Sequence, residues 1–220
     1  MENIIIIGAG GHAKVIIDIV EQIQTLNISG IIAPHLQKGT IFMGYPALGR
    51  DADLPQLVTK HQISGAIVAI GDNTSRQKVA ETARQLCPNL KFVTAVHPTA
   101  TLAADVIIGE GTVVMAGSVV NPGVQVGSFC IINTLSSVDH ECKLADYASL
   151  GPRATLGGNC TVGASSMIGL GAILCHGVSV GTHTVIGAGS LVNKDVGSSV
   201  IAYGQPARVI RSRQPDERYL

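Results

Sequence analysis

From Val96 to Val192 every sixth residue is aliphatic, without a break through seventeen consecutive hexads. Four residues after each one the side chain is small; Ala100, Val106, Thr112, Ser118, Val124 and Cys130 begin that series. A period of six matches neither the 3.6 of a helix nor the 2.0 of a plain strand. It marks a parallel β-helix, in which each hexad makes a short strand and a corner, and three hexads close one triangular coil. Coils then stack at the strand spacing of roughly 4.8 Å. Glycine in second place of the hexads at 109, 127, 151, 157, 163, 169, 181 and 187 suits tight corners. Composition agrees: 46% of residues are hydrophobic, but only 3% are aromatic and none is Trp, so the core is thin and built from Val, Ile, Leu and Ala.

Ahead of this repeat the pattern alternates. Asn3–Ile7 reads as a buried strand, Gly8–Gly11 as a glycine-rich turn and His12–Leu26 as a helix. Strands follow at Ile28–Ala33, Gly65–Ile70 and Lys91–Val96, with helices at Leu54–His61 and at Thr74–Cys87, the last with Thr74 as N-cap. Strands alternating with helices predict a small parallel α/β domain of Rossmann-like type over 1–95. The β-helix is then expected over 96–199 and a C-terminal tail over 200–220.

The formal net charge is zero with no basic stripe, so nucleic acid is not an expected partner. The apolar run Ile4–Ile7 stops at Gly8, too short for a signal peptide or a membrane span. Five cysteines, an odd number, fit a reduced cytoplasmic chain.

The register sorts the reactive side chains. Cys130, Cys142 and Cys160 fall in the small inward position and read as buried hydrophobes rather than nucleophiles. Cys142 and Cys160 are one coil apart, a spacing that permits a disulfide which a reducing compartment disfavours. His140 falls in third place, at an outward corner. His176 shares its column two coils on, on the order of 10 Å away by strand spacing, with Gly158 between. Two readings stay open there: a pair of solvated surface histidines, or a groove carrying a general base. The histidines at 97, 140, 176 and 183 do not converge on one tetrahedral site, so no metal is expected. The front loop Gly8-Ala9-Gly10-Gly11-His12-Ala13 fits a dinucleotide fingerprint, yet no acid ends the second strand to hold a ribose. A phosphate or sugar site at the helix N-terminus, or a purely structural turn, are its other readings.

Taken in order, IIIIGAGGHAKV (4–15), GYPALG (44–49), AIGDN with Arg76 (69–76), VHPTA (96–100), INTLSSVDHEC (132–142) and GQPARVI (204–210) resemble the hexapeptide-repeat sugar acetyltransferases of the PglD/NeuD type over nearly the whole chain. The resemblance implies a Rossmann-like α/β domain followed by a left-handed parallel β-helix, and a homotrimer with active sites between adjacent helices. It implies transfer of acetyl from acetyl-CoA to the amine of a nucleotide-linked amino sugar. O-acetylation of a sialic-acid-like sugar is the alternative. It makes His140 the general base with Glu141 as its partner. It also places the sugar near Gly10, Gly11 and His12. The register, rather than the resemblance, lays the coenzyme along the corners at Gly157, Gly158 and His176, and offers Asn133 as either a sugar contact or a corner-stabilising residue. Many members carry a second histidine nine residues after the first, beside the thioester; here that position is Ser149, whose hydroxyl can still donate. Many also end the second strand in an acidic pair, where this chain reads GIIAPHL (30–36). A nucleotide sensor with a dead site is a rival that the retained His140-Glu141 pair argues against, and an ice-binding β-helix lacks its flat threonine ladder.

Overall fold

A computed structural model describes residues 1–218; Tyr219 and Leu220, the end of the expected tail, lie outside the described residues. The chain divides into two compact units. One comprises Met1–Gly71 with Ser75–Pro98, and the other comprises Asp72–Thr74 with everything from Thr99 on.

The first unit is an α/β sandwich. Its elements are β1 (Glu2–Ile7), α1 (Gly11–Ile23), β2 (Leu26–Ile32), β3 (Ile41–Phe42), β4 (Tyr45–Gly49), α2 (Leu54–Lys60), β5 (Gly65–Val68), α3 (Asn73–Leu86, whose first two residues count with the second unit) and β6 (Lys91–Phe92). The sheet order is β3-β4-β2-β1-β5-β6. All pairings are parallel except β3–β4. Ile4–Ile7 is the central strand, at most 3% exposed, which is why it reads as a continuous apolar run. β2 and β5 flank β1 on opposite sides, so the chain order reverses beside the Gly8–Gly11 loop. Open α/β sheets bind ligands at such a switch point. Gly8 is required there: its φ is 124°, and a Cβ would lie 2.7 Å from the Ala69 carbonyl oxygen. Thr74, expected as the N-cap of the third helix, lies inside it, since α3 starts at Asn73.

In the second unit two-residue strands recur every six residues, from Thr101–Leu102 to Leu191–Val192. Each, through Ile173–Leu174, pairs in parallel with the strand 18 residues on, as Val119 does with Ser137 and Ser137 with Thr155. Three sheets result, one per face of a left-handed β-helix. The aliphatic first place is buried inside, with Ile132, Val138, Leu150, Val162 and Ile168 all at 0% exposure. Each contributes roughly 1.5–3 kcal/mol of burial. The strands Val200–Gly204 and Ala207–Ser212 form a hairpin that extends one face beyond Val185–Ile186. No described helix is long and apolar enough to cross a membrane.

The corners differ from expectation in one respect. The left-handed backbone does not fall on the second-place glycines. It falls two places later, at every sixth residue from Gly111 to Gly189, and eight of those fourteen corners carry a side chain, among them Glu141 (φ 58°). The second-place glycines serve close approach instead. At Gly163 a Cβ would lie 2.6 Å from the backbone of Gly181 and Thr182 on the next coil.

Candidate active site

One edge of the β-helix gathers Asn121, Asp139, His140, Glu141, Gly157, Gly158 and His176, in corners 18 residues apart. The corner at Asp139–Glu141 is fixed first through its backbone. Asp139 Oδ1 accepts the His140 N–H at 2.8 Å and the Asn121 side-chain amide at 2.9 Å. Asn121 foremost, then the His140 N–H, holds the Asp139 carboxyl below the usual carboxylate range. Glu141 donates its N–H to Pro122 O at 3.0 Å, and Asn159 donates to His140 O at 2.8 Å, tying the corner to the coils before and after it.

With residue 141 in the left-handed region, the chain bends back and the Glu141 carboxylate meets its neighbour's ring: His140 Nδ1 lies 3.3 Å from Glu141 Oε2. Consecutive residues of a flat strand point to opposite sides, so the corner is what makes this contact possible. An ionised carboxylate only accepts, so Nδ1 carries the proton and Nε2 presents a lone pair. The pair is exposed, at 47% and 65% of the side chains, so it orients the ring more than it stabilises the fold.

Nε2 rests on Gly158, which is buried beneath the ring; a Cβ at 158 would strike Nε2 and lie 2.5 Å from Cε1. Beyond Gly158 stands His176, its ring centroid 5.9 Å from that of His140. The rings therefore lean together across the glycine, much closer than coil spacing alone gives. Among the described residues the N–H groups of Gly158 and His176 meet no acceptor.

Two expected members are elsewhere. Asn133 occupies a different edge, where its Oδ1 accepts the Thr134 N–H at 2.8 Å and shapes that corner. Ser149 is 3% exposed on a flat face, and its hydroxyl donates to Asn73 Oδ1 at 2.6 Å. Neither joins the His140 edge within the chain. Asn121 was missed, although it stands 18 residues before Asp139 and the register puts it in the same column.

Cys130, Cys142 and Cys160 are all at 0% exposure, and none is in a disulfide. The hydrogen bond with Cys160, and then burial, hold the Cys142 proton on, above the usual thiol range. Among the described residues no group of three or more His, Cys, Asp or Glu stands together as a metal site would need.

In the first unit, Gly10 precedes α1 with no side-chain cap, and no acid occupies the first turn. Its orphan N–H groups and the helix dipole suit an anion. A Cβ would meet nothing within 4 Å at Gly10 or Gly11. His12 Nε2 is enclosed without a partner, and burial, then the Arg76 charge, lowers its pKa to about 4. It is a neutral imidazole at physiological pH. Arg76 is itself buried, donating to Ile70 O at 3.0 Å and Gly71 O at 2.8 Å.

Residues 3–83 match the family model of the PglD N-terminal domain. The chain also superposes on perosamine N-acetyltransferase of Caulobacter crescentus, solved as a histidine-to-asparagine mutant with CoA and GDP-perosamine. The two are 37% identical over 96% of this chain and 98% of that one, with a TM-score of 0.91. The chain belongs to the PglD-type sugar acetyltransferases. The family likeness extends to the acetyltransferase domain of PglB from Neisseria gonorrhoeae, solved with acetyl coenzyme A, at 32% identity, TM-score 0.88, over 95% and 99% of the two chains. By sequence, 122 residues are 33% identical to UDP-N-acetylbacillosamine N-acetyltransferase of Bacillus subtilis, covering 53% of this chain and 52% of that protein. The chain thus spans about half the length of that curated relative, and its match covers 24% of another.

Proposed function

We propose that this protein transfers acetyl from acetyl-CoA to the amino group of a nucleotide-linked amino sugar, with His140 as general base. The observation that carries the reading is the His140 ring, held by Glu141 at Nδ1 and resting Nε2 on Gly158 beside an unpaired N–H. The acceptor amine attacks the thioester carbonyl and passes a proton to Nε2. Glu141 stabilises the imidazolium. The oxygen of the tetrahedral intermediate accepts the Gly158 N–H. Collapse breaks the carbon–sulfur bond, and the CoA thiolate takes up the proton that His140 received. The coenzyme arm lies along the same edge, over Gly157, Gly158 and His176. The capless loop at Gly10 and Gly11, with neutral His12, takes the phosphate and sugar of the acceptor.

The relatives support this reading, since those described above are N-acetyltransferases or were solved with CoA or acetyl coenzyme A. We read the assembly as a homotrimer with sites between adjacent β-helices; exposed Leu135, Leu170 and Ile173 on the β-helix fit burial by another copy. The compartment inferred is the cytoplasm, where free thiols persist. The test is a thiol-release assay with acetyl-CoA against nucleotide-linked amino sugars and free nonulosonic acids. Turnover on an amino sugar and its loss in His140→Ala are expected. Turnover on none by an intact oligomer rejects the assignment, and turnover only on a hydroxyl acceptor replaces N- with O-acetylation.

A further inference from the structure

We propose that His176 is a second catalytic imidazole, which passes the proton taken by His140 on to the departing sulfur of acetyl-CoA; this rests on the acetyltransferase reading above. Of the seventeen third places in the six-residue repeat, only 140 and 176 carry histidine, and both fall on one edge. Their ring centroids are 5.9 Å apart and the rings tilt by 47°, with only Gly158 in the corner between them. His176 is exposed, and among the described residues no hydrogen bond engages its ring. Both of its nitrogens are therefore open to substrate and solvent.

Acetyl transfer needs a proton donor on that side. In the reading above the amine meets His140 Nε2, and the carbonyl oxygen meets the Gly158 N–H. Nitrogen, oxygen and sulfur are separate substituents of one tetrahedral carbon. Sulfur therefore sits away from His140, where the coenzyme arm crosses His176. His140 cannot serve both atoms at once, because Glu141 holds its Nδ1 at 3.3 Å and the amine occupies its Nε2. An alkyl thiol titrates at about pH 8.5, so the sulfur that leaves takes up a proton in neutral solution. A neutral imidazole has one N–H and one lone pair. His176 gives its N–H proton to sulfur and takes the His140 proton at its other nitrogen, directly or through one water. The Asp139 carboxylate, held ionised first by the Asn121 amide, is close enough to feel the charge of both rings, and it offsets the positive charge in transit. The step balances. A carbon–nitrogen bond forms, the carbon–sulfur pair moves to sulfur, the amine loses one proton, the thiol gains one, and both rings end neutral.

The test compares the full-length wild type with His176→Asn and His176→Gln, which keep a polar side chain but cannot relay a proton. Each is assayed with acetyl-CoA and with its selenoester analogue, which retains the whole coenzyme arm. A selenol is far more acidic than a thiol, so selenium departs without needing a proton. With acetyl-CoA both variants should lose kcat by about 100-fold, the scale of a lost acid–base group, while KM for the donor stays unchanged. With the selenoester, variants and wild type should turn over equally. Melting temperatures should match, since the ring is exposed and holds nothing in place. An unchanged kcat with a raised KM would make His176 a mere contact of the coenzyme arm and overturns the proposal. An equal loss with both donors would mean that the ring only positions the reactants, and overturns it too. A wild-type protein that acetylates no sugar defeats the acetyltransferase reading and this inference with it, whereas an active wild type showing either of those two patterns in the variants defeats this inference alone.

Discussion

The imidazole of His140 lies directly on Gly158 of the next coil, with no room for a methyl group between them. The obstacle is the end of a mobile side chain rather than backbone. Gly158→Ala should therefore fold normally while the ring swings off its seat. We expect a fall in kcat of at least about 100-fold, the scale of a lost general base, with the melting temperature within a few degrees of wild type. Steady-state kinetics and thermal unfolding on the same preparation check both halves.

Glu141 combines a left-handed backbone, φ 58°, with a carboxylate 3.3 Å from His140 Nδ1. Two substitutions separate these roles. Glu141→Gly relieves the backbone and deletes the carboxylate, so kcat should fall while stability holds or rises by roughly 0.5–1 kcal/mol. Glu141→Gln keeps an acceptor for Nδ1–H but loses the charge that stabilises the imidazolium, and should cost about tenfold in kcat. If both variants keep wild-type kcat, Glu141 does not orient the base.

Much of this edge was legible in the chain because a six-residue register is also a spatial address. His140, Gly158 and His176 are spaced by 18, and that alone stacked them correctly. The same arithmetic separates Asn133 from them, since it belongs to a hexad on another face, and it places Ser149 on a strand rather than a corner. It also exposes Asn121 as the residue below Asp139. What spacing does not carry is side-chain direction. Coil spacing puts the two histidine backbones on the order of 10 Å apart, whereas their rings close to 5.9 Å because Gly158 offers no side chain to hold them apart. The left-handed corner was likewise hidden, because eight of its fourteen occupants are not glycine.

Second-place glycines should be intolerant for a reason unrelated to chemistry. At Gly163 an added Cβ would lie 2.6 Å from two backbone atoms of the next coil, and a stacked coil has little freedom to retreat. Gly163→Ala should cost about 3 kcal/mol or more, whereas Gly177→Ala, with nothing within 4 Å but a φ of 74°, should cost about 1 kcal/mol. Chemical denaturation of the two variants ranks them, and the reverse order would reject close approach as the reason for the second-place glycine.

His12 predicts an acid-sensitive front unit. Its folded pKa is about 4, lowered first by burial and then by the Arg76 charge, against an unfolded value near 6.5. Between those values the unfolded chain binds the extra proton, so stability rises with pH there. The contribution is complete above about pH 6.5 and lost as pH falls toward 4, with an upper limit of about 3 kcal/mol. Replacing the titrating ring by His12→Gln should flatten the dependence of stability on pH between 7.5 and 4.5, while titrations common to both proteins cancel. Parallel curves for wild type and variant would mean that the enclosed imidazole takes up its proton without opening the fold.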